Sequence, residues 1–185
     1  MKRIILITGG ARSGKSSYAE KLALELSDAP VYLATARIWD EEFRERVRRH
    51  QARRGPQWTN IEEEKALSRH DLTGRVVLVD CLTLWATNYF FDAASAATGA
   101  AAAAPSDPST DIDRALAEIQ AEFDRFTAQE TTFILVTNEI GMGGTSDNDI
   151  QRRFTDLQGW MNQYAAAHAD EVILMVSGIP VKIKG

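Results

Sequence analysis

The sequence predicts a three-layer α/β fold with a mainly parallel sheet, and two patterns support this prediction. Apolar runs typical of buried strands alternate along the chain with segments whose apolar residues recur at helical spacing. This alternation is the order in which helices cover both faces of a parallel sheet. Glycines and polar residues follow the runs at 4–8 and 132–137, and open sheets of this kind bind ligands at such carboxyl ends. We therefore expect one enzyme domain that spans residues 1–185.

The strands are predicted from apolar, β-branched runs that are bounded by turn residues. They lie at 4–8, 31–35, 75–80, 132–137 and 171–176, with a short extended piece at 58–62 and a last strand at 181–184. The last strand follows a turn at 177–180 that contains glycine and proline. We expect it to be antiparallel at the edge of the sheet.

Helices are predicted between the strands at 17–27, 40–54, 83–91, 111–128 and 148–168, and a brief helix opens at 62–65. The clearest is 111–128, whose apolar residues fall at helical spacing: Ile112, Leu116, Ile119, Phe123 and Phe126.

The alanine-rich stretch 92–110 has little to bury except methyl groups. We therefore expect a flexible surface loop at 92–110 rather than a domain boundary.

The turn after the first strand carries the G-x-x-x-x-G-K-[ST] motif of a P-loop: Gly9, Gly10, Ala11, Arg12, Ser13, Gly14, Lys15 and Ser16. Gly9 and Gly14 allow backbone conformations closed to other residues, so that successive N–H groups can point at phosphate oxygens. Lys15 supplies an ammonium for the outer phosphates, and we expect it on the solvent side of the site. The Ser16 hydroxyl is placed to hold Mg²⁺. The motif predicts a nucleoside triphosphate site.

The strand at 75–80 ends in Asp80, which gives it the form of a Walker B strand. A carboxylate at this end of a strand near the P-loop can orient Mg²⁺ directly or through water. The alternative is an ordinary strand-end aspartate that caps a turn, and the upstream P-loop favours the metal.

The predicted helix at 40–54 carries His50 at the end of its apolar stripe, with arginines beside it: Arg46, Arg49 and Arg53. A run of arginines usually marks a solvated helix face. From periodicity alone, a partly buried structural histidine is favoured over a reactive one.

Composition excludes several classes of partner and setting. The net charge of −5 argues against nucleic acid as a bulk electrostatic partner. The single cysteine, Cys81, excludes an intramolecular disulfide framework and fits a reduced, cytoplasmic setting. Apolar runs all stay well short of the ~20 residues of a membrane span, and the apolar start leads into the glycine loop, so we interpret it as a strand rather than a signal peptide.

The sequence closely resembles the bifunctional adenosylcobinamide kinase/adenosylcobinamide-phosphate guanylyltransferases of cobalamin biosynthesis. The segments that carry the resemblance are 8–16, 32–36, 46–50, 137–143 and 176–184. The resemblance runs nearly end to end and weakens over 92–110.

This resemblance implies a RecA-like P-loop NTPase fold, often as a trimer, that acts twice on one substrate. A nucleoside triphosphate, ATP or GTP, first phosphorylates the aminopropanol hydroxyl of adenosylcobinamide. GTP then gives up GMP through a guanylylated histidine, and adenosylcobinamide phosphate becomes adenosylcobinamide-GDP with release of pyrophosphate. The nucleophile of the family corresponds to His50. The resemblance therefore favours a reactive histidine at this position over the structural one that periodicity favours.

The nucleotide contacts of the family correspond to residues 9–16 and to Ala34, Thr35, Ala36, Gln51, Ala52, Arg53, Arg54, Glu62 and Asp80. Two positions depart from the pattern that the resemblance implies. Arg49 stands where relatives often carry a second histidine, and Asp80 stands where they often carry glutamate. Neither departure removes an essential group. Aspartate is shorter than glutamate, however, so the resemblance does not determine which atoms Asp80 contacts.

Two functions from other classes remain as alternatives. A single-function small-molecule kinase would use the P-loop and Asp80, with His50 merely structural. A non-catalytic nucleotide switch would need loops that close on the γ-phosphate, and the sequence identifies none. If His50 is not the nucleophile, His70 and His168 are the next candidates.

Overall fold

A computed structural model of the chain describes residues 1–37, 54–98 and 108–185. The described residues form one seven-stranded sheet in the order β3-β2-β4-β5-β1-β6-β7. Its strands are β1 (Arg3–Gly9), β2 (Val31–Ala34), β3 (Thr59–Glu62), β4 (Val76–Asp80), β5 (Thr132–Val136), β6 (Glu171–Val176) and β7 (Ile179–Lys184). All neighbours pair in parallel except β6 and β7, which are antiparallel. The predicted sheet, with its antiparallel edge strand at the C-terminus, is confirmed.

Four longer helices cover the sheet in the described part of the chain: α1 (Lys15–Leu26), α2 (Leu82–Thr98), α3 (Pro108–Thr127) and α4 (Asp149–His168). Successive residues of β1 point to opposite faces, as in any strand. Ile4 and Leu6 belong to a core cluster with α2, α3 and α4, whereas Ile5 and Ile7 belong to a second cluster with α1. The helices therefore form two layers with the sheet between them, which confirms the three-layer fold.

The predicted strands are confirmed, and their ends agree with the structure to within two residues. The apolar stripe predicted for α3 also lies in the core, because Ile119 and Phe123 are fully buried. None of the described helices combines the length and the apolar character that a membrane span requires.

The flexible loop predicted at 92–110 is wrong over 92–98 and 108–110, which are helical. Alanine has the highest intrinsic helix propensity, so an alanine-rich stretch readily extends a helix that has already formed. Asp92 also holds this turn of α2 in place, because it binds Arg37 at 2.8 Å and Lys65 at 3.1 Å. Residues 99–107 lie outside the described residues.

The brief helix predicted to open at 62–65 is also wrong. Glu62 ends β3, and a 3₁₀ helix begins only at Leu67. Between them, the Glu63 carboxylate accepts hydrogen bonds from the backbone N–H groups of Lys65 and Ala66, both at 3.1 Å. Such local side-chain bonds compete with helix formation and stabilise a turn. The predicted helix at 40–54 lies outside the described residues except for Arg54.

The parallel register determines where functional residues meet. Ala34 at the end of β2 pairs with Glu62 of β3 and with Asp80 of β4, and Asp80 pairs with Val136 of β5. The segments that follow these strands, together with the P-loop that follows β1, therefore gather along one edge of the sheet. We refer to this edge as the carboxyl edge and to the opposite one as the amino edge.

Candidate active site

The P-loop between β1 and α1 encloses a cavity of about 550 Å³. Its wall is formed by residues 11–17 and by side chains from the two neighbouring strand ends, Asp80, Cys81, Val136 and Asn138. Gly14 caps the amino end of α1 in the left-handed conformation, with φ 95°. The positive end of the helix dipole therefore points at the cavity, as in other phosphate sites.

The P-loop packs tightly against the turn between β6 and β7. The Gly178 N–H donates to the Ser13 carbonyl at 3.0 Å. Gly9 has φ 145°, and a Cβ at this position would lie 2.6 Å from the Met175 carbonyl oxygen. Glycine is therefore required at position 9 both by the backbone conformation and by the neighbouring strand.

Lys15 is more enclosed than the sequence suggested, because only 7% of it is exposed. Its ammonium turns back into the P-loop and donates to the Gly10 carbonyl at 2.6 Å. Burial lowers the pKa of Lys15, while the nearby Cys81, Asp80 and Glu139 act in the opposite direction. The expected solvent-side position is wrong, and the ammonium instead lies inside the loop.

Asp80 is held from the side by a tyrosine that the sequence analysis did not select. The Tyr32 hydroxyl donates to Oδ2 of Asp80 at 2.7 Å. Burial and the adjacent carboxylate raise the pKa of Tyr32, so it remains a neutral donor. The Arg54 guanidinium lies 3.4 Å from the centroid of the Tyr32 ring, and its Nε donates to Asn60. A predicted nucleotide contact, Arg54, is thus connected through one ring to the predicted metal residue, Asp80.

Ser16 and Asp80 fit a magnesium ion by the chemistry of their donor atoms. Both residues line the same cavity and offer a hydroxyl oxygen and a carboxylate oxygen. Mg²⁺ prefers such hard oxygen donors, and it usually takes one or two protein ligands together with substrate phosphates.

The remaining predicted nucleotide contacts form a second group at the ends of β2 and β3. Ala34 and Glu62 are paired in the sheet, and Ala36 follows β2. Thr35 is fully buried, and its hydroxyl donates to the Cys81 carbonyl at 2.8 Å and accepts from the Cys81 N–H. This side chain fixes the end of β4 rather than forming part of the cavity wall. His50, Gln51, Ala52 and Arg53 lie outside the described residues.

The structure provides reasons against other covalent nucleophiles. The ring of His70 pairs with Glu63 at 3.5 Å and His168 ends α4 just before β6, and neither histidine lines the P-loop cavity. Cys81 does line the cavity, but burial raises the pKa of its thiol to about 12, so it is a poor nucleophile at neutral pH.

Comparison with known proteins identifies the family. The sequence profile described as cobinamide kinase / cobinamide phosphate guanyltransferase matches residues 5–183. The chain belongs to this family. The bifunctional adenosylcobalamin biosynthesis protein CobP of Pseudomonas aeruginosa is 38% identical over 184 residues, which cover 97% of this chain and 96% of the relative. CobU proteins of the same description from Escherichia coli and Salmonella typhimurium are 38% and 39% identical, and each match covers 98% of this chain and 99% of the relative.

Among solved structures, an ATPase from the type III secretion system of pathogenic bacteria superposes with a TM-score of 0.52 and 10% identity. The match covers 93% of this chain and 50% of that one. At this identity the similarity concerns the fold alone, and it agrees with the P-loop architecture.

Two structural features near the cavity of this cobinamide kinase family member were missed in the sequence. One is Tyr32, whose position in a buried strand gave no sign of its bond to Asp80. The other is a pair of buried polar residues on α4, Gln158 and Asn162, which lie one turn apart beside the apolar stripe. Polar residues at helical spacing next to buried Leu157 and Met161 were the available signal.

The tight packing of the P-loop predicts different effects of alanine at adjacent glycines. Gly9→Ala should lower the free energy of unfolding by about 1–3 kcal/mol and weaken nucleotide binding, since the new Cβ collides with the Met175 carbonyl. Gly10→Ala is the matched control, because a Cβ there meets nothing within 4 Å, and it should change stability by less than ~0.5 kcal/mol. Urea unfolding measures both, and equal stability of the two variants would contradict the described loop.

Proposed function

We propose that this protein phosphorylates the aminopropanol hydroxyl of adenosylcobinamide with a nucleoside triphosphate and then transfers GMP from GTP to the product. The observation that carries the proposal is a P-loop cavity with Lys15, Ser16 and Asp80 in a chain that matches the family over residues 5–183. The products would be adenosylcobinamide-GDP and pyrophosphate, so the enzyme would assemble part of the nucleotide loop of cobalamin.

In the kinase step, the P-loop would bind and orient the triphosphate. The amino end of α1 and the Lys15 ammonium would attract the phosphate oxygens and hold the γ-phosphate for transfer. Mg²⁺, when bound by Ser16, Asp80 and the phosphates, would supply positive charge that offsets the charge of the transferring group. Tyr32 would keep the Asp80 carboxylate in one orientation through its hydroxyl.

In the guanylyl step, we assign the nucleophile to His50. A ring nitrogen would form a bond to the α-phosphorus as the bond to the α–β bridging oxygen breaks, and pyrophosphate would leave with the electron pair. A phosphate oxygen of adenosylcobinamide phosphate would then displace the histidine. Neighbouring arginines would offset the charge on the α-phosphate and on pyrophosphate.

The residues that flank the segment with His50 support this assignment. Arg37 follows β2 at the carboxyl edge and is fixed by ion pairs with Glu64 and Asp92. Arg54, on the other side, stacks on the ring of Tyr32, whose hydroxyl binds Asp80. The chain therefore leaves and returns near β2, whose Tyr32 is bonded to the cavity residue Asp80.

Other parts of the proposal come from the resemblance and the composition. ATP or GTP would serve as phosphate donor in the first step, and GTP alone would serve in the second. A trimeric assembly, a cytoplasmic setting and the lack of a nucleic-acid partner stay predictions.

Lys15→Met should abolish both activities while the protein remains folded. Methionine matches the length of the buried side chain but lacks the ammonium, which contributes to binding and to the transition state. Lys21→Met is a suitable control, because that side chain is 77% exposed and, in the part of the chain that the structure describes, forms an ion pair with Glu25 one turn away. Turnover assays with adenosylcobinamide measure both variants, and near-normal kinase activity of Lys15→Met would contradict the assigned site.

His50→Ala should keep kinase activity and lose guanylylation, since only GMP transfer requires a protein nucleophile. His50→Asn should behave in the same way, because an amide offers no nucleophilic nitrogen. Incubation with α-labelled GTP and denaturing electrophoresis detects the intermediate. In the unmodified protein, the label should require Mg²⁺, be reversed by pyrophosphate, and be labile in acid but stable in base, as expected for a phosphoramidate.

His70→Ala and His168→Ala are matched controls that should label fully, since neither histidine lines the P-loop cavity. Full labelling of His50→Ala would show that another residue is the nucleophile. Loss of labelling in all three variants would point to a structural effect. A protein that phosphorylates adenosylcobinamide without ever being labelled would be a single-function kinase.

A further inference from the structure

Glu139 is a carboxylate at the carboxyl edge for which the proposed steps give no role. It follows β5, and its backbone N–H donates to the Gly9 carbonyl at 3.1 Å. Its Oε1 accepts a hydrogen bond from the Thr8 hydroxyl at 2.6 Å and a second from Nδ2 of Asn162 at 3.2 Å. Both the backbone and the side chain of Glu139 are thus attached to the residues that lead into the P-loop.

The asparagine that holds Glu139 is itself fixed by a buried polar network. Oδ1 of Asn162 accepts from the Thr137 hydroxyl and from Gln158, both at 2.7 Å. The other Nδ2 hydrogen bond goes to the Asn138 carbonyl at 3.0 Å. Thr137 and Gln158 are fully buried and Asn162 is 6% exposed. Oε1 of Gln158 receives no hydrogen bond among the described residues, but every polar side-chain atom of Asn162 is hydrogen-bonded, which fixes this side chain in one geometry.

In the chain, Glu139 stands between residues that line two different cavities. Asn138, the residue before it, lines the P-loop cavity. Gly141, two residues after it, lines a second cavity of about 330 Å³. The wall of this second cavity includes four residues with polar side chains, Thr145, Ser146, Arg152 and Asp156. Such a wall suits a substrate that is rich in amide groups, since it offers both donors and acceptors.

One oxygen of this carboxylate remains available. Among the residues that the structure describes, both hydrogen bonds to the Glu139 side chain go to Oε1, and Oε2 receives none. A fixed carboxylate with one free oxygen beside a phosphate site has the geometry of a proton acceptor.

We propose that Glu139 is the general base of the kinase step, a role that rests on the proposed function. Oε2 accepts the proton of the aminopropanol hydroxyl while the hydroxyl oxygen forms a bond to the γ-phosphorus. The bond from that phosphorus to the β–γ bridging oxygen breaks, and the nucleoside diphosphate leaves with the electron pair. The proton then passes from Glu139 to water. Adenosylcobinamide, the acceptor of the phosphoryl group, would bind on the side of the second cavity.

The guanylyl step has no need of this base. Its nucleophiles are a neutral histidine nitrogen and a phosphate oxygen that is already deprotonated at neutral pH. Glu139 and His50 should therefore have opposite effects, because each serves only one of the two reactions.

Glu139→Gln tests the role directly, since its amide oxygen can still accept from Thr8 and Asn162. We expect the kinase kcat to fall by roughly 10²-fold or more, in line with the usual contribution of a general base. Labelling by α-labelled GTP, and GMP transfer to supplied adenosylcobinamide phosphate, should stay within about threefold of the unmodified enzyme, which also shows that the variant is folded. Glu130→Gln is the matched control, because Glu130 precedes β5 at the amino edge and binds the backbone N–H of Lys2.

Two results would overturn the assignment. Kinase turnover of Glu139→Gln within about threefold of the unmodified enzyme would show that no proton is transferred to this carboxylate. A parallel loss of both activities would show that Glu139 acts on the nucleotide or on the fold. An unmodified enzyme that phosphorylates no adenosylcobinamide would instead contradict the proposed function, so the two failures are distinguishable.

Discussion

The parallel register of β2, β4, β5 and β1 is the constraint on which the site depends. It places the ends of these strands at one edge, so that residues distant in the sequence line a single cavity. The register also explains why Asp80 lines the P-loop cavity although β5 lies between β4 and β1. The intervening strand brings Asn138 and Glu139 directly beside the loop. A shift of one residue in any of these pairings would turn the side chains to the other face of the sheet.

Much of this arrangement could be predicted from the sequence. Buried parallel strands are apolar throughout their length, which made them easy to locate, and the P-loop motif defined the direction of the first strand. The polar residues at the strand ends, Asp80 and Asn138, were likewise visible, because open α/β sheets bind ligands at the carboxyl ends of their strands. The resemblance to the cobinamide kinase family then supplied a role for His50 that periodicity could not.

Other features required three-dimensional information. The alanine-rich stretch was expected to be a loop because it buries little, but helix propensity and the ion pairs of Asp92 extend α2 to Thr98. Lys15 was expected near solvent because lysine usually is, and the loop's own carbonyl holds it inside. The bonds of Tyr32 to Asp80 and of Asn162 to Glu139 join residues that are far apart in the sequence. Contacts of this kind produce no local pattern in the sequence from which they could be predicted.

One site would thus serve two reactions that differ in what they require from the protein. Transfer to a hydroxyl needs a proton acceptor, whereas transfer through the protein needs a nucleophile. Among the described residues, the proposed proton acceptor is Glu139, on the β5 side of the P-loop. The segment that contains His50 begins and ends at Arg37 and Arg54, on the β2 side. Asp80, at the end of β4, lies between β2 and β5 in the sheet order and lines the P-loop cavity, so both chemistries would reach the same cavity.

Product analysis of the unmodified protein tests the central proposal most directly. Purified enzyme would be incubated with adenosylcobinamide, Mg²⁺ and ATP, then supplied with GTP, and the corrinoids would be identified by chromatography and mass spectrometry. The account predicts adenosylcobinamide phosphate with ATP alone, followed by adenosylcobinamide-GDP and an equal amount of pyrophosphate after GTP is added. Accumulation of the phosphate without any GDP derivative, or hydrolysis of both nucleotides with no modified corrinoid, would contradict it.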